Sequence, residues 1–477
     1  MTQEQSTGRA AVTPSVAARM DRLPITPLHV KATIVIGLGL FFDIYEIFLS
    51  GTLGSVLKEQ FGLGGTGLTW LLASAFLGMF LGAITIGRIA DRLGRRRAFL
   101  LSLAIYSVFT VLAAFSPNVS FLVICRFIAG FGIGAEPPVS DAYLGDLLPP
   151  KKRGMFTGIA YTVSFVGVPV VGFLGHWLVP LQPLGIDGWR WLFVFGALGA
   201  LVIFLLRTGL PESPRWLSAA GREDEATAIV ERFEHQAEAH GLELPEPSAH
   251  TPSTTSGSNA AELFRAPYAQ RTWMMVVFHF LQTWGYYGFG TLVPLVLAAR
   301  GFDIVTSLGF LSVIFIGYPV GSVLSLPIIE RLERQYLVVG SAIAMAVFGI
   351  AFGLSGSEAA ILVLGFCYTA LSNVFSNAFH VYQAEIFPTR LRGTAASGTY
   401  SLSRLSSGLM PFILLPLLNN HGSGWLFTVV AAAMVVVAAN VLVFGPRTTG
   451  RTLTDVNLLP GAGWVPANPI AEEATGR

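Results

Sequence analysis

The chain has 477 residues, 53% of them hydrophobic and 12% charged, with a formal net charge of +2 at pH 7. A soluble globular chain carries about 25% charged residues, so this one cannot hide its apolar surface from water, and a lipid bilayer must be its solvent. The small net charge gives no footing for a nucleic-acid partner. The two cysteines, Cys125 and Cys367, each lie inside an apolar run, so no disulfide framework is indicated.

The first thirty or so residues are polar, without a short apolar stretch and cleavage site, so the first apolar run reads as an uncleaved membrane helix. A spanning helix needs about 20 mostly apolar residues. Runs that qualify are Val30–Leu57, Gly67–Ile89, Ala98–Phe115, Val119–Ser140, Gly154–Leu181 and Trp189–Leu210. After a gap come Trp273–Ala298, Val305–Ile329, Tyr336–Gly353, Ala359–Ala384, Gly393–Leu418 and Trp425–Phe444. The expected fold is therefore an all-α membrane protein of twelve transmembrane helices in two six-helix pseudo-repeats. Its parts are an N-terminal segment 1–29, a six-helix bundle 30–210, a central loop 211–271, a second bundle 272–445 and a tail 446–477. Glu223–Ala239 in the loop has amphipathic helical spacing, and the Pro/Ser/Thr-rich Pro245–Asn259 reads as a linker.

Basic residues concentrate in one set of loops: Arg88, Arg92, Arg95, Arg96 and Arg97; Lys151, Lys152 and Arg153; Arg331 and Arg334; Arg390 and Arg392. The opposite loops hold little beyond Lys58, Arg190 and Arg300. By the positive-inside rule the rich set is cytoplasmic, with both termini and the central loop on that side.

The halves repeat one another. Tyr143, Asp146, Pro149, Arg153 and Gly154 recur as Tyr382, Glu385, Pro388, Arg392 and Gly393, a spacing of 239 residues (143 to 382). The same spacing carries Asp91–Arg92 onto Glu330–Arg331, Arg95 onto Arg334, and Asp43 onto Gln282. Parallel repeats in a membrane protein mark transporters whose halves rock around a site near the midplane.

At these residues a resemblance becomes specific. Gly87-x-x-x-Asp91-Arg92-x-Gly94-Arg95-Arg96-Arg97 resembles the signature loop of the major facilitator superfamily. Pro211-Glu212-Ser213-Pro214-Arg215-Trp216-Leu217 is similar to the loop motif of its sugar porters, and Arg19-Met20-Asp21-Arg22-Leu23-Pro24 followed by Phe42-Asp43 resembles its bacterial metabolite:proton symporters. The resemblance implies that Asp91 faces the start of the eleventh helix, while Arg92, Arg95 and Arg96 engage Asp146 and Glu212. Arg153 and Arg215 belong to the same belt, and Glu330, Arg331, Arg334, Glu385 and Arg392 do likewise in the second half. Such latches set the relative energy of two conformations and touch no solute. The second copy departs from pattern at Glu333 and Gln335, and Arg447 stands where the closing motif usually has glutamate, so its latch pairs differently or more weakly.

Charges inside spans are functional candidates by default. Asp43 and Glu46 lie in the first helix, Arg126 and Glu136 in the fourth, and Arg404 in the eleventh. The resemblance implies that Asp43 pairs with Arg126 and couples protons to transport; a static ion pair is the competing reading, and Glu46 can be the titrating group instead. Glu136 is read as part of the gate. For the solute site the candidates are Tyr161, Gln282, Trp284, Tyr286, Tyr287, Asn373, Asn377, His380 and Arg404. Tyr161, Tyr287 and His380 replace an amide, an amide and an indole of the sugar porters, which disfavours a hexose. Arg404 resembles the arginine of organic-ion carriers and suits a carboxylate, or else it neutralises Asp43 or Glu46.

The function expected is proton-coupled uptake of a small organic metabolite, an organic acid, by a monomeric carrier of the cell membrane. A proton-driven exporter and a sugar or polyol symporter remain the alternatives. No nucleotide loop, nucleophile elbow or metal-ligand spacing appears, so neither an enzyme nor a cofactor is expected.

Overall fold

The computed structural model describes residues 14–247, 260–329, 331–387 and 389–449, and the side chains of all these but 260, 389, 390, 392, 393, 396 and 397. In lipid every backbone N–H and C=O must find a partner within its own segment, and a helix achieves this locally. The spans are Pro27–Thr52, Gly65–Leu93, Arg95–Ala114, Val119–Leu147, Pro150–Leu178 and Gly188–Thr208, then Ala269–Ala299, Ile304–Ile329, Arg334–Leu354 and Glu358–Glu385. The last helix, Thr389–Phe444, runs 56 residues and breaks at Gly422, whose φ is 82°, into an eleventh and a twelfth span. Ala269–Ala299 is long enough to cross but less apolar than its neighbours, because His279, Gln282, Thr283, Trp284, Tyr286 and Tyr287 occupy its middle.

Proline sets the internal breaks. The fourth span stops at Ile133 and restarts at Glu136; the fifth stops at Phe165 and the eighth at Phe315. Each stop lies four residues before a proline, Pro137, Pro169 or Pro319, which has no N–H to offer the carbonyl there. The first apolar run also splits, since Leu53 leaves helical geometry and a separate helix, Gly54–Gln60, follows.

The repeat extends to packing. A Cβ on Gly78 or Gly82 would overlap the carbonyl oxygens of Phe127 and Phe131, so the second span lies directly on the fourth. Gly317 and Gly321, one repeat further on, lie as closely against Phe366 and Ala370 of the tenth span. Lipid supplies no hydrophobic drive between helices, so such small-residue approaches carry the association.

The halves meet at the end away from the basic loops. Gly51 lies against Thr291, Gly172 against Ser312, Trp70 edge-on to Phe412 at 5.2 Å, and the His176 Nδ1–Val305 carbonyl contact is 3.0 Å. At the basic end they part around a cavity of about 1760 Å³. Outside the bilayer, Glu223–Ala239 buries Ala226, Val230, Phe233 and Ala237 against the bundle. Its Glu234 takes Arg19 and Arg22 at 2.5 and 2.6 Å. Burial works against that carboxylate, but the two guanidiniums hold it below the usual range.

Candidate functional site

Five buried charges lie within the first bundle. The first span places Asp43 and Glu46 one turn apart, and the fourth span brings Arg126 against them. Arg126 is held by Glu46, not by Asp43: one guanidinium nitrogen donates to the Glu46 carboxylate and the other to its carbonyl at 2.7 Å. This corrects the expected Asp43–Arg126 pair, and the reason is helical geometry. Glu46 stands one turn further along the face that the fourth span covers, and its own carbonyl offers the guanidinium a second acceptor. The Phe193 ring lies 5.6 Å beneath the Arg126 guanidinium carbon and seals the pair.

Glu136, read from the sequence as part of the gate, has a partner of its own. It is buried and pairs with Arg207 at the end of the sixth span; the Phe99 ring lies 4.4 Å from that guanidinium carbon. Nothing in the sequence singled out Arg207, because an arginine at a span's end looks like a topology charge. Three carboxylates thus face two arginines, and Asp43 is the odd one. Both its oxygens are buried without a hydrogen-bond partner, with Glu136, Arg207, Glu46 and Arg404 as its charged neighbours.

Asp43 lines a small inner pocket together with Tyr161, Gln282, Tyr286, Tyr287, His380, Tyr400 and Arg404. The two repeats therefore bring most of the expected solute residues to one place. Arg404 is 2% exposed. Its Nη2 donates to the Tyr400 hydroxyl at 2.6 Å, and the rings of Tyr287 and Tyr400 each lie 5.0 Å from its guanidinium carbon. Its Nε and Nη1 have no hydrogen-bond partner. Tyr161 donates to Asp141 at 2.9 Å and stacks on His380 at 6.2 Å.

Three expected residues stand elsewhere. Trp284 turns its N–H to Ser406 at 3.0 Å, outside the pocket lining. Asn373 is consumed in packing, accepting from Tyr286 at 2.9 Å and donating to the Tyr318 carbonyl at 2.6 Å. Asn377 lines the large cavity but donates to Ser325 at 2.7 Å. Sequence reasoning missed Tyr400 and Asp141, although the repeat spacing carries Tyr161 onto Tyr400 and Asp141 onto His380.

At the mouth, Glu212 caps the third span, accepting from the Arg95 and Arg96 N–H groups at 2.9 and 3.1 Å. Gly94, immediately before them, holds φ at 105°, where a side chain would also strike Glu212. Asp146 accepts from Ser213 at 2.7 Å, with Arg95 at 4.0 Å. Arg96 donates to the Thr208 carbonyl and Arg153 to that of Leu148, while Arg92 is exposed. Arg215 reaches the Asp146 carbonyl and the Asp21 carboxylate, at 3.0 and 2.6 Å. Asp91 is exposed and meets Arg95 at 2.6 Å.

In the second half Arg334 holds Glu385 at 3.0 Å and Arg331 is exposed, while Glu330 and the Arg392 side chain lie outside the described residues. Glu333, a departure in the sequence pattern, ties down the stretch after the last span: it accepts from the N–H groups of Thr448 and Thr449 at 3.0 and 3.3 Å. Among the described residues no ion pair joins one half to the other.

Two helical bundles in a parallel repeat, meeting at one end and parted at the other around a polar pocket, define a carrier of the major facilitator type. The chain belongs to the sugar (and other) transporter family, whose model matches residues 32–459. It is 27% identical over 446 residues to the niacin transporter NiaP of Acinetobacter baylyi, covering 93% of this chain and 100% of that one. It is 25% identical over 449 residues to the 4-hydroxybenzoate transporter PcaK of the same organism, covering 92% and 94%. The fold matches the xylose transporter XylE of Escherichia coli in a partially occluded inward-open conformation, with a TM-score of 0.72, 19% identity and coverage of 89% and 99%. The protein is a multi-pass membrane transporter of small molecules, not an enzyme.

Proposed function

We propose that the protein takes up a small aromatic carboxylic acid together with protons, as its two halves rock about the central pocket. The observation that carries this is Arg404, a buried guanidinium between two tyrosine rings with two nitrogens unpartnered. A buried cation with no carboxylate opposite it is costly, and a flat carboxylate answers both the charge and the rings. Niacin and 4-hydroxybenzoate, the solutes in two relatives' names, are flat acids of this kind. A hexose would meet rings and a guanidinium here in place of the amides and indole of sugar porters. With the basic loops facing the cytoplasm, both termini lie on the cytoplasmic side of the cell membrane and the cavity opens inward. The carrier works as a monomer.

Purified protein is expected to gain thermal stability with nicotinate or 4-hydroxybenzoate, since a ligand that binds only the folded state stabilises it. Arg404→Ala should weaken the acid about ten- to hundredfold, the worth of about 1.5–3 kcal/mol for hydrogen bonds to a charged group. The matching neutral amide should lose little. Equal losses for acid and amide would assign Arg404 to the fold.

We further propose that Asp91 latches the closed mouth by facing the eleventh span's N-terminus, where a carboxylate is favoured. Asp91→Asn should leave expression intact and shift the resting protein toward the open mouth. Faster labelling of a Gly145→Cys reporter in the cavity wall by an impermeant maleimide would show it; an unchanged rate removes Asp91 from the gate.

A further inference from the structure

Parallel repeats are related by an axis along the membrane normal, so residues one repeat apart stand at the same depth on opposite walls. Asp141 and His380 are such a pair, 239 residues apart (141 to 380). Both are exposed to the large cavity, one from each half. They are of opposite potential charge, and neither has an ion-pair partner among the described residues. Tyr161 already links the two walls: its hydroxyl donates to Asp141 at 2.9 Å while its ring stacks on His380, with an interplanar angle of 26°.

When the mouth shuts, residues at equal depth approach and the water between them leaves. A dehydrated carboxylate is expensive unless a positive partner meets it. An imidazolium opposite Asp141 supplies that partner, whereas a neutral imidazole does not. Closure therefore depends on a proton at His380.

We propose that Asp141 and His380 form a second proton-coupling pair, closing on each other as an ion pair when the mouth shuts and releasing the His380 proton when it opens. The groups facing His380 are Tyr161 of the fifth span, Tyr400 and Arg404 of the eleventh, and His279 of the seventh. Those facing Asp141 are Tyr161 and Tyr400. Asp91, Arg95, Lys151, Arg153, Arg334 and Glu385 line the same cavity. With the mouth open, Arg404 is the charged group nearest His380 and no described carboxylate pairs with it; with it shut, Asp141 meets it from the opposite wall. The inference rests on the reading of a proton-coupled carrier and adds a second titrating pair beside Asp43, which shares the inner pocket with His380 and Tyr287.

The test uses full-length protein in liposomes without solute, with Cys125 and Cys367 replaced by serine. Spin labels go on Gly145→Cys and Ala384→Cys, which are themselves one repeat apart and line opposite walls. Lowering the pH from about 8 to about 6, across the range where an imidazole titrates, should move the inter-label distance to a shorter population. His380→Gln and Asp141→Asn should each abolish that shift, and the exchange Asp141→His with His380→Asp should restore it. A shift that survives both single variants overturns the proposal. Absence of the shift in the parent also overturns it: if protons still enter with 4-hydroxybenzoate, the proton-coupled reading stands without this pair, and if none enter, both fall.

Discussion

Vesicles carrying Asp43→Asn are expected to lose accumulation of solute on a pH gradient while keeping exchange at equal concentrations. The reason lies in the charges that surround Asp43. Glu46 is satisfied by Arg126 and Glu136 by Arg207, so of these three buried carboxylates only Asp43 is left unpartnered. Its mate in the repeat is Gln282, which cannot titrate. Neutralising Asp43 requires either a proton or Arg404 from the other half, and an acid that occupies Arg404 leaves the proton. On the proposed reading, the proton taken up at Asp43 balances the charge of the carboxylate, and each unit of pH gradient then supports at least about tenfold accumulation, since it is worth about 1.4 kcal/mol per proton. Asparagine imitates the protonated form permanently. Exchange needs no net proton movement and survives; the parent acidifies the vesicle lumen as solute enters, and the variant does not. Should Asp43→Asn still concentrate 4-hydroxybenzoate, the coupling proton resides elsewhere, with the Asp141–His380 pair the first candidate.

Arg126→Ala is expected to be among the most destabilising single changes in the molecule, by about 3–5 kcal/mol, the cost of leaving one member of a buried ion pair without its partner. The stranded group is Glu46, which is 0% exposed and which the change deprives of its only strong donor. Thermal unfolding of the purified protein in detergent measures this. Arg126→Met combined with Glu46→Gln should recover most of the loss, because a neutral amide of similar volume no longer requires a cation. By contrast, Asp43→Asn should leave the unfolding temperature close to the parent's, since no ion pair is broken. An Arg126→Ala protein as stable as the parent would mean that Glu46 is carried as the neutral acid and that the pair is not a structural clamp.

The twelve spans, the repeat and the family were legible in the sequence because each is a property of local spacing. About 20 apolar residues cross a bilayer wherever they occur, and Tyr143 meets Tyr382 at the same spacing as Asp91 meets Glu330. The sequence reads the spans as continuous, yet the structure breaks them ahead of Pro137, Pro169 and Pro319, each of which removes one backbone donor from a fixed carbonyl. Which charge holds which was not legible either. Arg126 chooses Glu46 over Asp43, and Arg207 claims Glu136, because side chains three residues apart on a helix share a face and only the packing of the first, fourth and sixth spans decides which of them a guanidinium reaches. The same holds for the pocket. The sequence supplied Arg404, Tyr161 and His380 as isolated polar residues in apolar helices, but it is the juxtaposition of two bundles that puts Tyr287 and Tyr400 against the guanidinium, and that draws Trp284 and Asn373 into hydrogen bonds away from the solute. Hydropathy and period act along the chain, whereas a buried charge answers to whatever the fold brings within a few ångströms, and that is decided only in three dimensions.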